Sequence, residues 1–335
     1  MTSMVSGLTF HLRPLFARIG QALGRLFLGR AASPAEPTPH QAASTAPGRP
    51  LATRVFAALH SRGAGDRPEG LHAAAARSRR LRPRQALNLL LAGAQLAAIG
   101  VAAVRGFGAE REVTEPPVVP ALYTFSIWFV IYAGSLIYAA YQARPAQQAD
   151  PLLRRVGGWT AAAFLFTTLW ALAQTLGWAW ATVACMFGML SALLGAFVGY
   201  ARAPLSRAQD WLVAAPLSIF LGYVTVASIA NPASVLYQSG VQSLLGLGPT
   251  PWAVLMLAVG VFCAAALTRW SRGNVPYALA VIWALVGVTV QNVAVQPNSA
   301  VAWTAALGAA ALGGVLVWAR RGAARAATPA AAAGQ

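Results

Sequence analysis

No charged residue interrupts the segment Pro120-Ala-Leu-Tyr-Thr-Phe-Ser-Ile-Trp-Phe-Val-Ile-Tyr-Ala-Gly-Ser-Leu-Ile-Tyr-Ala-Ala-Tyr-Gln142. At about 1.5 Å per residue, a helix of this length crosses the roughly 30 Å hydrocarbon core of a bilayer. Seven further apolar stretches are of the same kind, and the eight have the approximate limits 86–104, 120–142, 156–176, 179–200, 210–230, 250–268, 276–294 and 299–319. The sequence therefore predicts an all-α membrane protein with about eight transmembrane helices.

Composition and charge favour the same fold class. Of the 335 residues, 57% are hydrophobic and 10% are charged, which is too little charge to cover two soluble domains. The formal net charge of +17 comes entirely from Arg, since the chain contains no Lys. Thirteen of the 25 Arg precede residue 85, and the others lie almost wholly in the gaps between apolar stretches. This distribution indicates membrane topology and excludes nucleic-acid binding as the reason for the charge.

Arginines occupy alternate gaps, and this pattern predicts the orientation. They are Arg77, Arg79, Arg80, Arg82 and Arg84 before the first stretch, then Arg144, Arg154 and Arg155, then Arg202 and Arg207, then Arg269 and Arg272, and finally Arg320, Arg321 and Arg325. The other four gaps hold only Arg105 and Arg111. Because basic loops stay in the cytoplasm, both ends are predicted to be cytoplasmic (N-in/C-in), in a multi-pass protein of the inner (cytoplasmic) membrane.

The two ends of the chain differ from the apolar region. Residues 1–30 combine apolar residues at helical spacing with Arg, which predicts either a basic amphipathic helix or a disordered tail. Residues 31–85 are rich in Ala, Pro, Arg and Ser and are predicted to form a disordered basic linker. Residues 321–335 are predicted to be a disordered tail.

The apolar stretches lack the residues of most catalytic and metal sites. All four His precede residue 85, and the charged residue within the limits above is Asp210, at an edge. Hydrolytic triads, paired carboxylates and metal clusters need such groups, so we expect neither an enzyme nor a bound metal or cofactor. An ion-coupled transporter usually keeps a carboxylate, His or Lys within the membrane. Transport is therefore less favoured, although backbone carbonyls and hydroxyls could still bind Na⁺.

Aromatic and amide side chains recur at helical spacing in three of the stretches. In the second stretch, Phe125, Trp128 and Tyr132 fall on one face of a helix. Two similar stripes run at steps of four residues: Trp170, Gln174 and Trp178 in the third stretch, and Tyr223, Ala227 and Asn231 in the fifth. Each stripe presents a flat apolar surface with a few hydrogen-bonding groups.

Three of these rings are predicted to lie at one depth. Measured from the outer helix ends at about 1.5 Å per residue, Trp128 lies roughly 12 Å deep, Trp170 roughly 9 Å and Tyr223 roughly 10 Å. Ala227, one turn from Tyr223, leaves room beside them. Two interpretations stay open: an aromatic layer that packs the helices together, and the wall of a ligand pocket.

The other eight Trp are expected to be membrane anchors. They lie at or near the ends of the stretches, where an indole N–H can reach headgroups or water: Trp159, Trp178, Trp180, Trp211, Trp252, Trp270, Trp303 and Trp318. Trp283 lies deeper, with Trp128 and Trp170.

Two further patterns concern helix packing. A shift of sixty residues carries Pro216, Tyr223, Ala227 and Asn231 onto Pro276, Trp283, Gly287 and Gln291, which is consistent with a parallel duplication of two helix pairs. The motif Gly195-Ala-Phe-Val-Gly199 allows close helix contact, either within the monomer or at a homodimer face.

The second and fifth stretches together carry a family resemblance. Phe125-Ser-Ile-Trp128-Phe-Val-Ile-Tyr132, opened by Pro120 and closed by Tyr141-Gln-Ala-Arg-Pro145, resembles the second-helix signature of the tryptophan-rich sensory protein family, which is related to the translocator protein TspO. The fifth stretch resembles the family's last core helix, in which Trp, Ala and Asn occur at steps of four.

The chain also departs from the family pattern. Tyr223 stands where the family has Trp, and Gln174 replaces the Asn of a Trp-Asn-Trp pattern in the third helix. Phe129 stands where long members more often have Gly, and it either narrows a pocket or faces lipid.

The resemblance implies a TspO-like five-helix core at 86–232 and a three-helix extension at 233–320. It also implies an integral membrane sensor or carrier that binds a flat hydrophobic molecule, porphyrin-like or sterol-like, besides its contact with the lipid bilayer. Without His in the stretches, a porphyrin would be held by stacking and apolar contact. The implied ligand-binding residues are Phe125, Trp128, Tyr132, Trp170, Gln174, Tyr223, Ala227 and Asn231. A secondary transporter of a small solute, a structural membrane protein without a ligand, and a homodimer stay open as alternatives.

Overall fold

The computed structural model of the protein describes residues 81–105, 115–241, 243 and 246–332, with the side chains of the last helix described up to residue 325. Eight long helices make up most of this part of the chain, and no strand occurs within it. All eight are long and apolar enough to cross a membrane. The predicted segments 1–30 and 31–85 lie outside the described residues, except for residues 81–85.

The helices match the predicted stretches closely. They are α1 (Pro83–Val104), α2 (Leu122–Ala143), α3 (Pro151–Thr175), α4 (Ala179–Tyr200), α5 (Arg207–Gln238), α6 (Pro249–Trp270), α7 (Val275–Val295) and α8 (Ser299–Ala332). Helix α8 continues past the predicted limit at 319, into the stretch 321–335 for which we expect a disordered tail. This stretch is rich in Ala, the residue with the highest helix propensity.

Local sequence sets where the helices begin and end. Proline stands in the first turn of α1, α3, α6 and α7, where a missing N–H is not needed. The side chain of Asp150 caps α3 by accepting from Leu153 N at 3.0 Å, and that of Asn274 caps α7 by accepting from Tyr277 N at 3.0 Å. Gly177, with φ +70°, turns the chain after α3.

Five helices close into a ring. Helix α1 packs on α2 and α3, α3 packs on α4, α4 packs on α5, and α5 returns to α2. Helix α7 packs on α5 and on the first turn of α2, while α8 packs on α6 and α7. The fold is therefore a five-helix core with a three-helix extension, as the sequence predicts.

All arginines of the described residues except Arg105 lie at one end of this bundle. At this arginine-rich end, the guanidinium of Arg269 lies over the ring of Trp318 and that of Arg202 over Trp270, at 4.5 and 5.5 Å from the ring centroids. The opposite end, where α5 ends and α6 begins, is called the arginine-poor end below. That the arginine-rich end faces the cytoplasm stays a prediction.

Small residues bring helices together within the monomer. A Cβ atom on Gly195 would meet the ring of Trp159 at 2.6 Å, and one on Gly199 would meet Val156 at 3.1 Å. Both neighbours belong to α3. The Gly195–Gly199 motif is therefore used inside the monomer, between α4 and α3.

Candidate functional site

Trp128 lies at the centre of a cluster of rings from α2, α3 and α5. Its ring stacks on Trp170 of α3, with centroids 5.7 Å apart and planes inclined by 15°. It also stacks on Tyr132, one turn further along α2, at 5.4 Å and 27°. These separations lie within the 4.5–7 Å range of favourable aromatic pairs.

Helix α5 contributes edge contacts to the same cluster. Tyr223 meets Trp128 at 5.6 Å and 81°, and it also meets Phe125 at 6.3 Å and 79°. The three rings predicted to share one depth, those of Trp128, Trp170 and Tyr223, are thus together. Phe220 joins them at 6.0 Å from Trp128. We did not predict Phe220, although its position three residues before Tyr223 puts it on the same face of α5.

The remaining predicted residues are less closely involved. The amide of Asn231 exchanges hydrogen bonds with Thr182 of α4, at 3.2 and 3.3 Å, so it links two core helices. Ala227 and Gln174 are half-buried. The expected stripe from Trp170 through Gln174 to Trp178 is broken, because α3 ends at Thr175 and Trp178 is 62% exposed beyond it.

Helix α7 of the extension fixes the start of α2. Leu122–Ser126 forms a 3₁₀ turn, and Trp283 Nε1 donates to the Thr124 carbonyl at 3.0 Å. Ala121 N donates to the Gly287 carbonyl at 3.0 Å, and Gly287 lies so close to Thr124 that a side chain there would overlap it. The deep Trp283 therefore supports the segment that carries Phe125.

Two buried polar groups lie at the height of Tyr132, one helical turn from Trp128. The Tyr132 hydroxyl and both polar atoms of the Gln95 amide find no hydrogen-bond partner among the described residues. Gln85 Nε2 of α1 donates to the Gln142 carbonyl of α2, so these two residues lie at the same height in the bundle. Because the two helices are antiparallel, Gln95 and Tyr132 also lie at one height, since each is ten residues from its member of that pair. We did not predict Gln95. The pattern that reveals it is the recurrence of amides and Ala every three or four residues along α1.

Side chains outside the cluster resolve two further expectations. Phe129 is 80% exposed, so it points out of the bundle and does not narrow the cluster. Among the eight expected anchors, Trp178, Trp180, Trp211, Trp303 and Trp318 are more than half exposed. The indole N–H of Trp252 is buried instead, in the wall of a cleft between α5 and α6 that holds none of the eight predicted ligand residues.

In the ranges that the structure describes, no three His, Cys, Asp or Glu come close enough to hold a metal ion. The chemistry of the cluster is therefore that of apolar rings with a few neutral hydrogen-bonding groups.

Comparison with known proteins identifies the family. The model of the family described as TSPO-like protein matches residues 87–318, which is well over half of the chain and extends from α1 into α8. It thus includes the three-helix extension as well as the five-helix core. No curated protein and no solved structure gives a significant match. The chain belongs to the family of TSPO-like proteins.

Proposed function

We propose that this protein binds a flat hydrophobic ligand, porphyrin-like or sterol-like, at the Trp128 cluster, and acts as a sensor or carrier in the cytoplasmic membrane. The observation that supports this proposal is the stacking of Trp128 on Trp170, with Tyr223 against its edge. The rings come from three different helices, so a small movement of one helix opens a flat slot between them. A planar ligand in that slot replaces one contact between two rings by two contacts, one between the ligand and each ring.

The polar groups beside the cluster limit the kind of ligand. An amide buried without a hydrogen bond costs on the order of 1–3 kcal/mol in proteins. The Gln95 amide and the Tyr132 hydroxyl are buried and unpartnered among the described residues. A ligand with a neutral polar group at one edge therefore fits better than a pure hydrocarbon. We propose binding and not catalysis, because stacking and neutral hydrogen bonds supply no general base.

Quenching of tryptophan fluorescence by protoporphyrin IX tests the proposal. The midpoint of a titration in detergent measures affinity independently of the number of Trp residues. We expect Trp128→Leu to weaken binding roughly tenfold, because one face of the slot is lost. Trp211→Leu is the matched control, since Trp211 is 69% exposed and lies at the start of α5, outside the cluster. An unchanged midpoint for Trp128→Leu would rule out this site.

The second candidate is a secondary transporter of a small solute. It is favoured over a purely structural protein by the unpartnered Gln95 amide near the middle of α1, because polar groups inside a membrane commonly mark a solute path. Uptake into proteoliposomes that follows an ion gradient, and that falls on Gln95→Leu, would support transport over sensing.

A further inference from the structure

An apolar cleft lies between the end of α5 and the start of α6, where the core meets the extension. Its volume is about 340 Å³, near the lower limit of the roughly 300–1,000 Å³ of ligand pockets. The residues that shape it include Phe187, Ser228, Pro232, Leu236, Trp252 and Met256. Three of the described residues that line it carry a hydroxyl, namely Ser228, Tyr237 and Ser243. The Ser228 hydroxyl donates to the Val224 carbonyl at 2.8 Å.

The cleft is as deep as one leaflet of a bilayer. Ser228 lies ten residues before the end of α5, which corresponds to about 15 Å from the arginine-poor end. Helices α5 and α6 approach each other closely at this depth, because Ile229 Cδ1 is 2.5 Å from where a Cβ on Gly260 would stand. Half of the roughly 30 Å hydrocarbon core is also about 15 Å.

Trp252 lines the cleft close to the arginine-poor end. It is the fourth residue of α6, so it lies about 5 Å from the helix start, close to where the fatty-acid esters of a phospholipid begin. We predicted that its indole N–H would reach headgroups or water. The N–H is instead buried and has no acceptor among the described residues. An indole N–H can only donate, so the missing partner is an acceptor oxygen.

We propose that this cleft binds one acyl chain of a membrane phospholipid, with the ester carbonyl of that chain accepting a hydrogen bond from Trp252 Nε1. The leaflet is the one at the arginine-poor end. Depth selects an acyl chain, and a neutral carbonyl fits better than a phosphate because no Arg is among the described residues that line the cleft. The lipid fills the gap between α5 and α6, which pack on each other less closely than α5 packs on α7.

Native mass spectrometry of the full chain, after delipidation and addition of palmitoyl-oleoyl phosphatidylethanolamine, tests the proposal. We expect one retained phospholipid per chain. Ala233→Phe fills the cleft and should abolish retention, because Ala233 lines it. Trp252→Phe keeps the ring but removes the donor, so retention should fall roughly two- to tenfold. Trp180→Phe is the matched control, an exposed Trp at the same end of the bundle.

The outcomes separate this site from the Trp128 cluster. Ala233→Phe should leave the protoporphyrin midpoint unchanged, while Trp128→Leu should leave phospholipid retention unchanged. Circular dichroism verifies that each variant is folded, and Trp252→Phe still tests the site if Ala233→Phe is not. Equal retention by wild type and Trp252→Phe would overturn the ester contact. Retention of cholesterol in place of the phospholipid, when both are added to the delipidated protein, would overturn the acyl-chain site. Equal retention by wild type and a folded Ala233→Phe would also overturn it.

Discussion

Gly287 shows how a single residue can determine the position of a helix start. Its carbonyl accepts from Ala121 N, and the absence of a side chain lets the 3₁₀ turn of α2 lie directly on α7. Thr124, which fills this space, is fully buried. The position of Phe125 and Trp128 therefore depends on the volume of a residue more than 150 positions away in the sequence.

We expect Gly287→Ala to destabilise the protein by about 1–3 kcal/mol, as other substitutions that overfill a packed site do. The added methyl group would overlap the Thr124 side chain. Gly313→Ala is the control, because no atom lies within 4 Å of a Cβ there and replacing a helical Gly by Ala should stabilise by roughly 0.5–1 kcal/mol. Thermal unfolding followed by circular dichroism measures both. A melting temperature for Gly287→Ala at or above that of wild type would contradict the predicted overlap.

At the scale of elements, a chain of hydrogen bonds joins the first three helices. The Tyr138 hydroxyl donates to Thr160 Oγ1 at 2.8 Å, and Thr160 Oγ1 donates to Asn88 Oδ1 at 2.7 Å. Asn88 Nδ2 in turn donates to the Gly157 carbonyl at 2.8 Å. All three polar side chains are fully buried. In a membrane such bonds hold helices together where the hydrophobic effect does not.

Thr160→Val keeps the shape of the side chain but removes the hydroxyl at the middle of this chain. It leaves the Tyr138 hydroxyl and Asn88 Oδ1 without their partner, so we expect a loss of about 1–2 kcal/mol of stability. Thr304→Val should change stability little, because the Thr304 hydroxyl donates within its own helix, to the Ala300 carbonyl at 2.7 Å, and this bond is exposed. Denaturation in mixed micelles compares the two variants. Equal unfolding midpoints would mean that the bonds between helices add no stability.

At the scale of the whole molecule, charge and packing meet at the arginine-rich end. The arginines of the described residues stand at the ends of the helices, and all but Arg105 are at one end of the bundle. Several of these arginines also join helices: Arg155 Nη1 donates to the Gly199 carbonyl at 3.3 Å, and the guanidinium of Arg202 lies over the ring of Trp270. Moving these charges to change the orientation would therefore also remove contacts between helices.

The orientation has its own test. With eight helices and the arginine-rich end in the cytoplasm, a reporter fused after Gly322 should be active only as a cytoplasmic fusion. Alkaline phosphatase, which is active outside the cytoplasm, and green fluorescent protein, which is active inside, give complementary signals. A fusion within the α7–α8 connection, after Pro297, should give the opposite result. Phosphatase activity after Gly322 would refute the predicted topology.

For the part of the chain that the structure describes, the sequence alone determined the number of long apolar helices and most of their limits, because charge-free apolar runs and capping residues such as Asp150 act locally. Spacing and depth also selected Trp128, Trp170 and Tyr223, since rings at equal depth on neighbouring core helices can meet. Whether these residues bind a ligand stays a prediction. So do the internal duplication and the exact domain limits.

Only the tertiary structure decided which helices are neighbours. It therefore also decided that α7 supports the start of α2, that Gln95 and Tyr132 lie at the same height, and that a cleft forms beside Trp252. A periodic pattern indicates which face of a helix is buried but not what covers it. A contact between helices joins residues that are distant in the chain, and it forms only where their side-chain volumes fit together. For this reason Trp252, which the sequence places at the membrane surface, has its indole N–H buried between two helices.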